Sequence, residues 1–371
     1  MTKRDLVDGK CPNHQTAPEE ITEENWFFTL HLYEGMLKKL LDSANGTYHI
    51  VPEYRAQEVY SILEGGLEDV SFSRSIDTLY WGVPVPEDSE QVMYVWCDNL
   101  TNYISTLGYL TPQEDRTWWD DAEVTHVIGK DISRFHALNW PAMLHAAGIK
   151  TPDRLLIHGF LTSSGEKMSK SIGNVVVPSE VIEKYGVDPL RFYLSHEIPV
   201  GRDGDFSWDR MQKLYDSKLR NDIGNLLNRV LVLLQKEGGN LAAPGKPDFL
   251  AQNQDEYCAA MNSFDFSKAV QLAITIAVDC NRYIDEQKPW SMSGSEKLVV
   301  LSSIAEALRH LSLALLPFIP ESAQKISLQL GVPYAETMLQ KDFIIGDKRV
   351  WGSQKDWRKI GKPEILFNPI E

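Results

Sequence analysis

The string Gly165-Glu-Lys-Met-Ser-Lys-Ser171 sets two lysines, Lys167 and Lys170, and two serines, Ser169 and Ser171, within five residues. It follows the apolar run of Leu155-Leu-Ile157. Ammonium groups on long flexible stems are mobile point charges suited to nucleotide phosphates. The serine hydroxyls add hydrogen-bond donors, and Gly165 gives the backbone freedom to turn. At the end of a strand, such a loop can stabilise charge moving onto a leaving pyrophosphate. The Gly-x-x-x-x-Gly-Lys order of a P-loop is absent. Taken by itself, a Lys/Ser cluster also reads as a solvated surface turn.

A second constellation is aromatic. Tyr94-Val-Trp-Cys-Asp-Asn-Leu-Thr-Asn-Tyr103 and Ile128-Gly-Lys-Asp-Ile-Ser-Arg-Phe-His136 end or follow apolar, β-branched runs. Ligand sites in open parallel sheets collect at such strand ends. Phe135 and His136 lie one turn beyond Ile132, and Trp140 is four residues past His136 on the same helical face. Rings at strand ends also serve as core, and Asp131 also reads as a helix N-cap.

The elements that must position these groups fall into two styles. Residues 20–66 read as helical, with Phe27, Leu30, Tyr33, Leu37 and Leu40 at helical spacing. From 69 to about 200, strands at 69–74, 92–100, 124–129 and 153–162 alternate with helices at 99–108, 132–148, 178–186 and 188–197, which predicts an α/β fold around a parallel sheet. From Trp208 to about Leu330 the pattern is purely helical. It predicts a bundle with breaks near Pro317 and Pro320, and a loop at 238–250. The expected domains are 1–68, 69–207, 208–330 and an irregular tail, 331–371, folding back on the body.

Composition narrows the class. The net charge is -15, which argues against a general nucleic-acid binder. Residues 1–100 carry seven Lys/Arg against eighteen Asp/Glu, whereas 101–371 carry thirty against thirty-four. A few placed basic and aromatic groups on the later part can still hold an RNA. Four cysteines without a CxxC pair indicate a reducing, cytoplasmic setting rather than a disulfide scaffold. The N-terminal residues lack the apolar core of a signal peptide, and no segment is expected to reach membrane-span length.

Together, "GEKMSKSIGNVV", "YVWCDNLTNYISTLGY", "HVIGKDISRFHALNWPAML", "YGVDPLRFYL", "DGDFS" and "NRYIDEQKPW" resemble, in order and spacing, the methionyl-tRNA synthetase branch of the class I aminoacyl-tRNA synthetases. The resemblance runs from about residue 3 to the end. It implies a fold consisting of the C-terminal half of a Rossmann-like catalytic domain followed by an α-helical anticodon-binding bundle. It also implies ATP-dependent activation of L-methionine and transfer to tRNA(Met), with Mg2+ carried by the nucleotide. Lys167 and Lys170 would hold the triphosphate beside Ser169, Gly129 and Asp131 would meet the ribose, and His158 to Leu161 would lie against the adenine. Trp96, Asn99, Tyr103, Ile132 and His136 would line the methionine pocket, since a thioether packs well against ring edges. Asn225, Arg229 and Trp290 would read the anticodon.

Three departures qualify the resemblance. Asn99 stands where the family has Ala or Pro, bringing an amide toward the pocket, and Cys97 replaces an apolar residue. The His-Ile-Gly-His type signature is absent, and none of the nine histidines pairs as His-x-x-His. Cys11 and His14 resemble the second half of a zinc knuckle, and two ligands do not close a structural site, so no zinc is expected in this polypeptide alone. The chain then reads as a fragment, or as one half of a split enzyme completed by a separate polypeptide, with little activation by itself and a monomer as the default. The alternatives are a non-catalytic tRNA-binding module and another class I ligase, for leucine, isoleucine, valine or cysteine.

Overall fold

The computed structural model describes residues 9–10, 16–18, 22–163, 165–168, 173–245, 254–332, 350–354, 357–360 and 362–370. The chain divides into two units. The first comprises Met1–His126 and Asp131–Leu155, the second Val127–Lys130 and Leu156–Glu371.

In the first unit, β1 (Phe27–Phe28) and, further along, β3 (Val70–Ser71) pair antiparallel, with Phe28 opposite Val70. A continuous helix is expected here from the Glu23-Glu24 pair. The structure instead has β1, a 3-10 turn at Leu30–Tyr33, and only then α1 (Glu34–Leu40). Adjacent phenylalanines favour a pleated surface, and Phe28 stacks on Tyr33 and Phe72 with centroids 5.3 and 5.2 Å apart. Between them lie β2 (His49–Val51) and α2 (Glu53–Glu64), which buries Ala56, Val59 and Leu63 along one stripe.

A three-stranded antiparallel sheet follows. The central strand β6 (Asp88–Met93) pairs with β4 (Ser73–Ser75) on one side and β5 (Pro84–Val85) on the other. The apolar run 92–100 is not one buried strand, as its composition suggests. It leaves the sheet after Met93, and the Tyr94 carbonyl accepts the N–H groups of Cys97 and Asp98 at 2.8 and 3.3 Å. That bonding begins α3 (Val95–Asn99), and α4 (Asn102–Ser105) continues the turn. Trp96 and Tyr103 therefore project from short helices rather than from a strand end.

β7 (Thr125–Gly129) alternates as a half-buried strand, with His126 and Ile128 inward and Val127 outward. Beyond a 3-10 turn at Lys130–Ile132, Phe135–Asn139 is wound as a π-turn and leads into α5 (Trp140–Ala146). Pro141 offers no N–H to the preceding turn, and a widened turn relieves that missing donor. β8 (Arg154–His158) closes this stretch. β2, β8 and β7 form a three-stranded sheet in that order, and the division between the units passes through β7 and β8.

In the second unit, β9 (Leu161–Ser163) lies between antiparallel β10 (Glu166–Lys167) and β11 (Gly204–Phe206), which is parallel to it. Helices α6 (Pro178–Tyr185) and α7 (Val187–Glu197) meet at Gly186, whose φ of 92° suits glycine. A continuous rod then runs through α8 (Trp208–Leu214), a π-wound segment Tyr215–Asn225, and α9 (Leu226–Lys236). Ser207 caps the rod by accepting the Arg210 N–H at 3.4 Å. The bundle is completed by α10 (Gln254–Asn262), which sequence patterning did not reveal, α11 (Phe266–Gln287), α12 (Gly294–Leu315) and α13 (Pro320–Gln329).

The expectation that no segment reaches membrane-span length needs correcting. α12 is 22 residues long and apolar enough to qualify, and every residue from Val300 to Leu315 is buried inside the unit. It is the central helix of the bundle core, surrounded by the inner faces of its neighbours.

Candidate functional site

The first unit gathers an aromatic–imidazole cluster from four sequence-distant segments. Trp96 on α3 stacks on Phe135 with centroids 4.1 Å apart and planes 11° from parallel. It meets His136 edge-on at 6.3 Å and 81°. Tyr103 on α4 covers the His126 ring at 4.1 Å, and Trp140 lies 6.1 Å from Tyr103. The π-turn turns His136 inward, leaving it 1% exposed.

The hydrogen bonds fix the protonation pattern. His136 Nδ1 lies 3.0 Å from the Ile132 carbonyl, which can only accept, so Nδ1 carries the proton. Nε2 then accepts the Tyr103 hydroxyl proton across 2.9 Å. The His126 Nε2 accepts the Trp140 indole N–H at 3.1 Å. Burial lowers the His136 pKa against the opposing pull of the Ile132 carbonyl. Burial and the neighbouring His136 bring His126 down to about 4. Burial also raises the Tyr103 pKa. At neutral pH every group in this cluster is uncharged, and both His136 nitrogens, the Tyr103 hydroxyl, the Trp140 indole N–H and His126 Nε2 find hydrogen-bond partners. Such a wall suits an uncharged, polarisable side chain.

Three of the residues expected at the amino-acid pocket, Trp96, Tyr103 and His136, are thus brought into direct contact, and Ile132 joins through its carbonyl. Asn99 does not join them through any bond shown here: it is exposed, and its Oδ1 accepts the Asn102 amide at 3.5 Å. His126 carried no role in the sequence reading. A single histidine in an alternating strand is indistinguishable from core, and only the register of β7 against the Trp140 indole reveals it.

Asp131 is exposed in the 3-10 turn of this unit. In the second unit, Gly129 ends β7, His158 ends β8, and Leu161 opens β9 and is 44% exposed. Asp203 shapes this segment, a role the sequence did not suggest. Its carboxylate takes the Phe160 N–H at 2.9 Å and the Lys130 ammonium at 2.7 Å, and that ammonium lies 4.6 Å from the Phe160 ring centroid. A Cβ on Gly159 would collide with the Arg202 carbonyl, so the close approach of these two loop segments requires glycine there. Lys167 pairs through its backbone with Thr162. Its side chain, together with Ser169 and Lys170, lies outside the described residues, as do Cys11 and His14.

Farther along the second unit, Arg229 on α9 bonds Asp285 at 2.7 Å, and its guanidinium carbon lies 5.8 Å from the Trp290 ring centroid. Trp290 is 51% exposed on a 3-10 turn. Asn225 is exposed one turn before Arg229 and donates to Asn221 at 3.1 Å. An exposed ring beside a guanidinium can stack an unpaired base.

The family profile described as "tRNA synthetases class I (M)" matches residues 1–231. The chain belongs to this family. A methionine–tRNA ligase of Caldanaerobacter subterraneus subsp. tengcongensis is 37% identical across 100% of this chain and 58% of its own length. Another, from Thermosynechococcus vestitus, is 35% identical over 99% of this chain and 73% of its own. Among solved structures, Mycobacterium tuberculosis methionyl-tRNA synthetase bound by methionyl-adenylate superposes with a TM-score of 0.84 and 34% identity, covering 98% of this chain and 73% of that one. The first relatives are thus matched over about 58% of their length. This class I synthetase chain has the α/β fold that its strand–helix alternation predicts.

Proposed function

We propose that this chain is the amino-acid-holding and tRNA-reading part of a methionine–tRNA ligase. The reaction joins methionine to ATP, giving methionyl-adenylate and pyrophosphate, and then transfers the methionyl group to the terminal adenosine of tRNA(Met). The observation that carries this reading is the Ile132–His136–Tyr103 hydrogen-bond chain walled by Trp96, Phe135 and Trp140. A thioether gains dispersion and sulfur–ring contacts there, about 0.3–1.5 kcal/mol per contact, and no buried polar atom of that chain is left seeking a partner.

The other roles follow the family strings. Lys167 and Lys170 meet the triphosphate and stabilise the charge that develops on departing pyrophosphate. Asp131 and Gly129 take the ribose, His158 to Leu161 the adenine, and Ser169 donates to the phosphates. A divalent ion arriving with the nucleotide would neutralise phosphate charge. Asn225, Arg229 and Trp290 read the anticodon. The test is methionine-dependent ATP–pyrophosphate exchange by the intact protein that carries this chain. Lys170→Ala is expected to lower it by on the order of 3 kcal/mol, about two powers of ten in rate. Exchange that ignores methionine, or a Lys170→Ala variant with full exchange, would overturn the reading.

A further inference from the structure

In the second unit, Asp205 sits in the middle of β11, where three segments meet. Its backbone is firmly held. β11 runs parallel to β9 with Asp205 opposite Thr162, and the Asp205 carbonyl accepts the hydroxyl of the fully buried Tyr193 at 3.2 Å. Thr162 is also the antiparallel partner of Lys167, so β9 lies between Asp205 and the first of the two loop lysines. The side chain of Asp205 joins these strands to a helix. Its Oδ1 accepts the Thr162 hydroxyl at 2.9 Å and the Gly165 N–H at 2.7 Å, and its Oδ2 accepts the guanidinium of Arg210 on α8 at 2.6 Å. Arg210 also donates to the Asp205 carbonyl at 3.0 Å.

The string that carries Lys167 and Lys170 starts from the turn at Gly165. That residue has φ of 79°, and a Cβ there would meet nothing within 4 Å, so no side chain crowds the turn and the bond from its N–H ties it to β11. Charge-assisted bonds of this kind are short and strong. Together, with the Gly165 N–H foremost, they hold the Asp205 carboxyl below the usual carboxylate range. At neutral pH it therefore only accepts. Farther along, Met168 between the two lysines and Val176 beyond them are partly buried against the bundle core. The string is thus tied at three described points, by a carboxylate at Gly165 and by apolar contact at Met168 and Val176. An ammonium that must meet charge appearing only in the transition state is effective when the backbone bearing it is set in advance.

We infer that Asp205 is a positioning residue for adenylate formation. It fixes the entry turn of the lysine string, and with it the reach of Lys167 and Lys170 toward the triphosphate, while Arg210 steadies the carboxylate from the head of the helical rod. The inference deepens the ligase reading above and rests on it. The test uses the intact protein that carries this chain, as parent and as Asp205→Asn, Lys170→Ala and the double variant. Asparagine keeps the shape and one acceptor oxygen and loses the charge. Asp205→Asn is expected to lower kcat of methionine-dependent ATP–pyrophosphate exchange about tenfold, with KM for methionine within about twofold of the parent. In the double variant, Lys170→Ala should cost only about tenfold more, against about a hundredfold in the parent, because a lysine already out of place has less to lose.

Amide hydrogen exchange in the same proteins supplies a readout apart from activity. Asp205→Asn should speed exchange at the Gly165 N–H about tenfold or more, while protection across α11 stays as in the parent. Full activity in Asp205→Asn, or a hundredfold loss from Lys170→Ala in both backgrounds, would overturn the inference. So would a loss of protection that extends equally to α11, since Asp205 would then act on stability alone. If the parent and Lys170→Ala behave as the ligase reading requires and only the Asp205 outcomes fail, that reading stands without this inference. If the parent shows no methionine-dependent exchange, the ligase reading falls and the inference with it.

Discussion

At the scale of single residues, the account turns on His136 being neutral and held from both sides. Tyr103→Phe keeps the ring but removes the hydroxyl that satisfies Nε2. Leaving a buried acceptor unmatched costs about 1–3 kcal/mol, so denaturant unfolding of the first unit is expected to shift to lower midpoint by that amount. Methionine affinity should fall with it. His126 sets a pH dependence. Its pKa is near 4 folded, against 6.5 for an ordinary histidine, so the unfolded chain binds more protons between those values. Stability is therefore complete above about pH 6.5 and is lost as the pH falls toward 4, by about 3 kcal/mol for this group. Equilibrium unfolding at pH 7 and pH 4.5 checks the sign, and His126→Gln should flatten the slope in that window.

Trp96, Tyr103, Ile132 and His136 were legible because they stand in long strings whose order is itself informative. His126 and Asp203 were not, because a lone titratable residue shows nothing of which ring or ammonium its strand will bring against it.

At the scale of elements, α12 shows how a helix apolar enough to span a membrane is used as a core. Three ionisable side chains, Glu306, Arg309 and His310, interrupt its buried stretch from Val300 to Leu315, and they bond one another. Arg309 forms a two-pronged bond to Glu306 at 2.8 and 2.7 Å, and Glu306 also accepts the Gly352 N–H at 2.8 Å. Burial alone would raise the Glu306 pKa, but the bonds from Arg309 and His310 bring it down to about 2. Its contribution to stability is present above pH 4.5 and is lost as the pH falls toward 2, so acid unfolding of the second unit should follow this carboxylate. Glu306→Ala removes the buried carboxylate onto which Arg309 forks and is expected to cost about 3–5 kcal/mol, read as a lowered unfolding midpoint.

The bundle helices were legible from their spacing, and the break between α12 and α13 falls where Pro317 and Pro320 require it. The errors have physical causes. At 27–28 an apolar helical period concealed two aromatics that prefer a pleated strand. At 92–100 hydrophobicity concealed the turn that the Tyr94 carbonyl begins. The π-turns depend on a missing Pro141 donor and on packing along the rod, and neither leaves a periodic signature.

At the scale of the whole molecule, each unit carries its own proposed recognition surface, a ring-walled cluster in one and an amide-and-aromatic face in the other. The excess of acidic over basic side chains, net -15, means that the proposed RNA affinity must come from a few placed contacts. Log affinity of the chain for an anticodon stem–loop RNA is therefore expected to fall with log salt at a slope near that of two or three phosphate contacts, rather than the six to ten of a strongly basic protein. A salt titration of binding reads this directly, and a slope of the larger kind would show an extended cationic face that this reading lacks.

The most direct test of the central claim is calorimetric titration of the chain with L-methionine and, separately, with L-leucine. The account requires saturable methionine binding, tighter than leucine by up to about tenfold from sulfur–ring contacts, and abolished by His136→Ala. Equal binding of the two amino acids, or methionine binding untouched by His136→Ala, would contradict it.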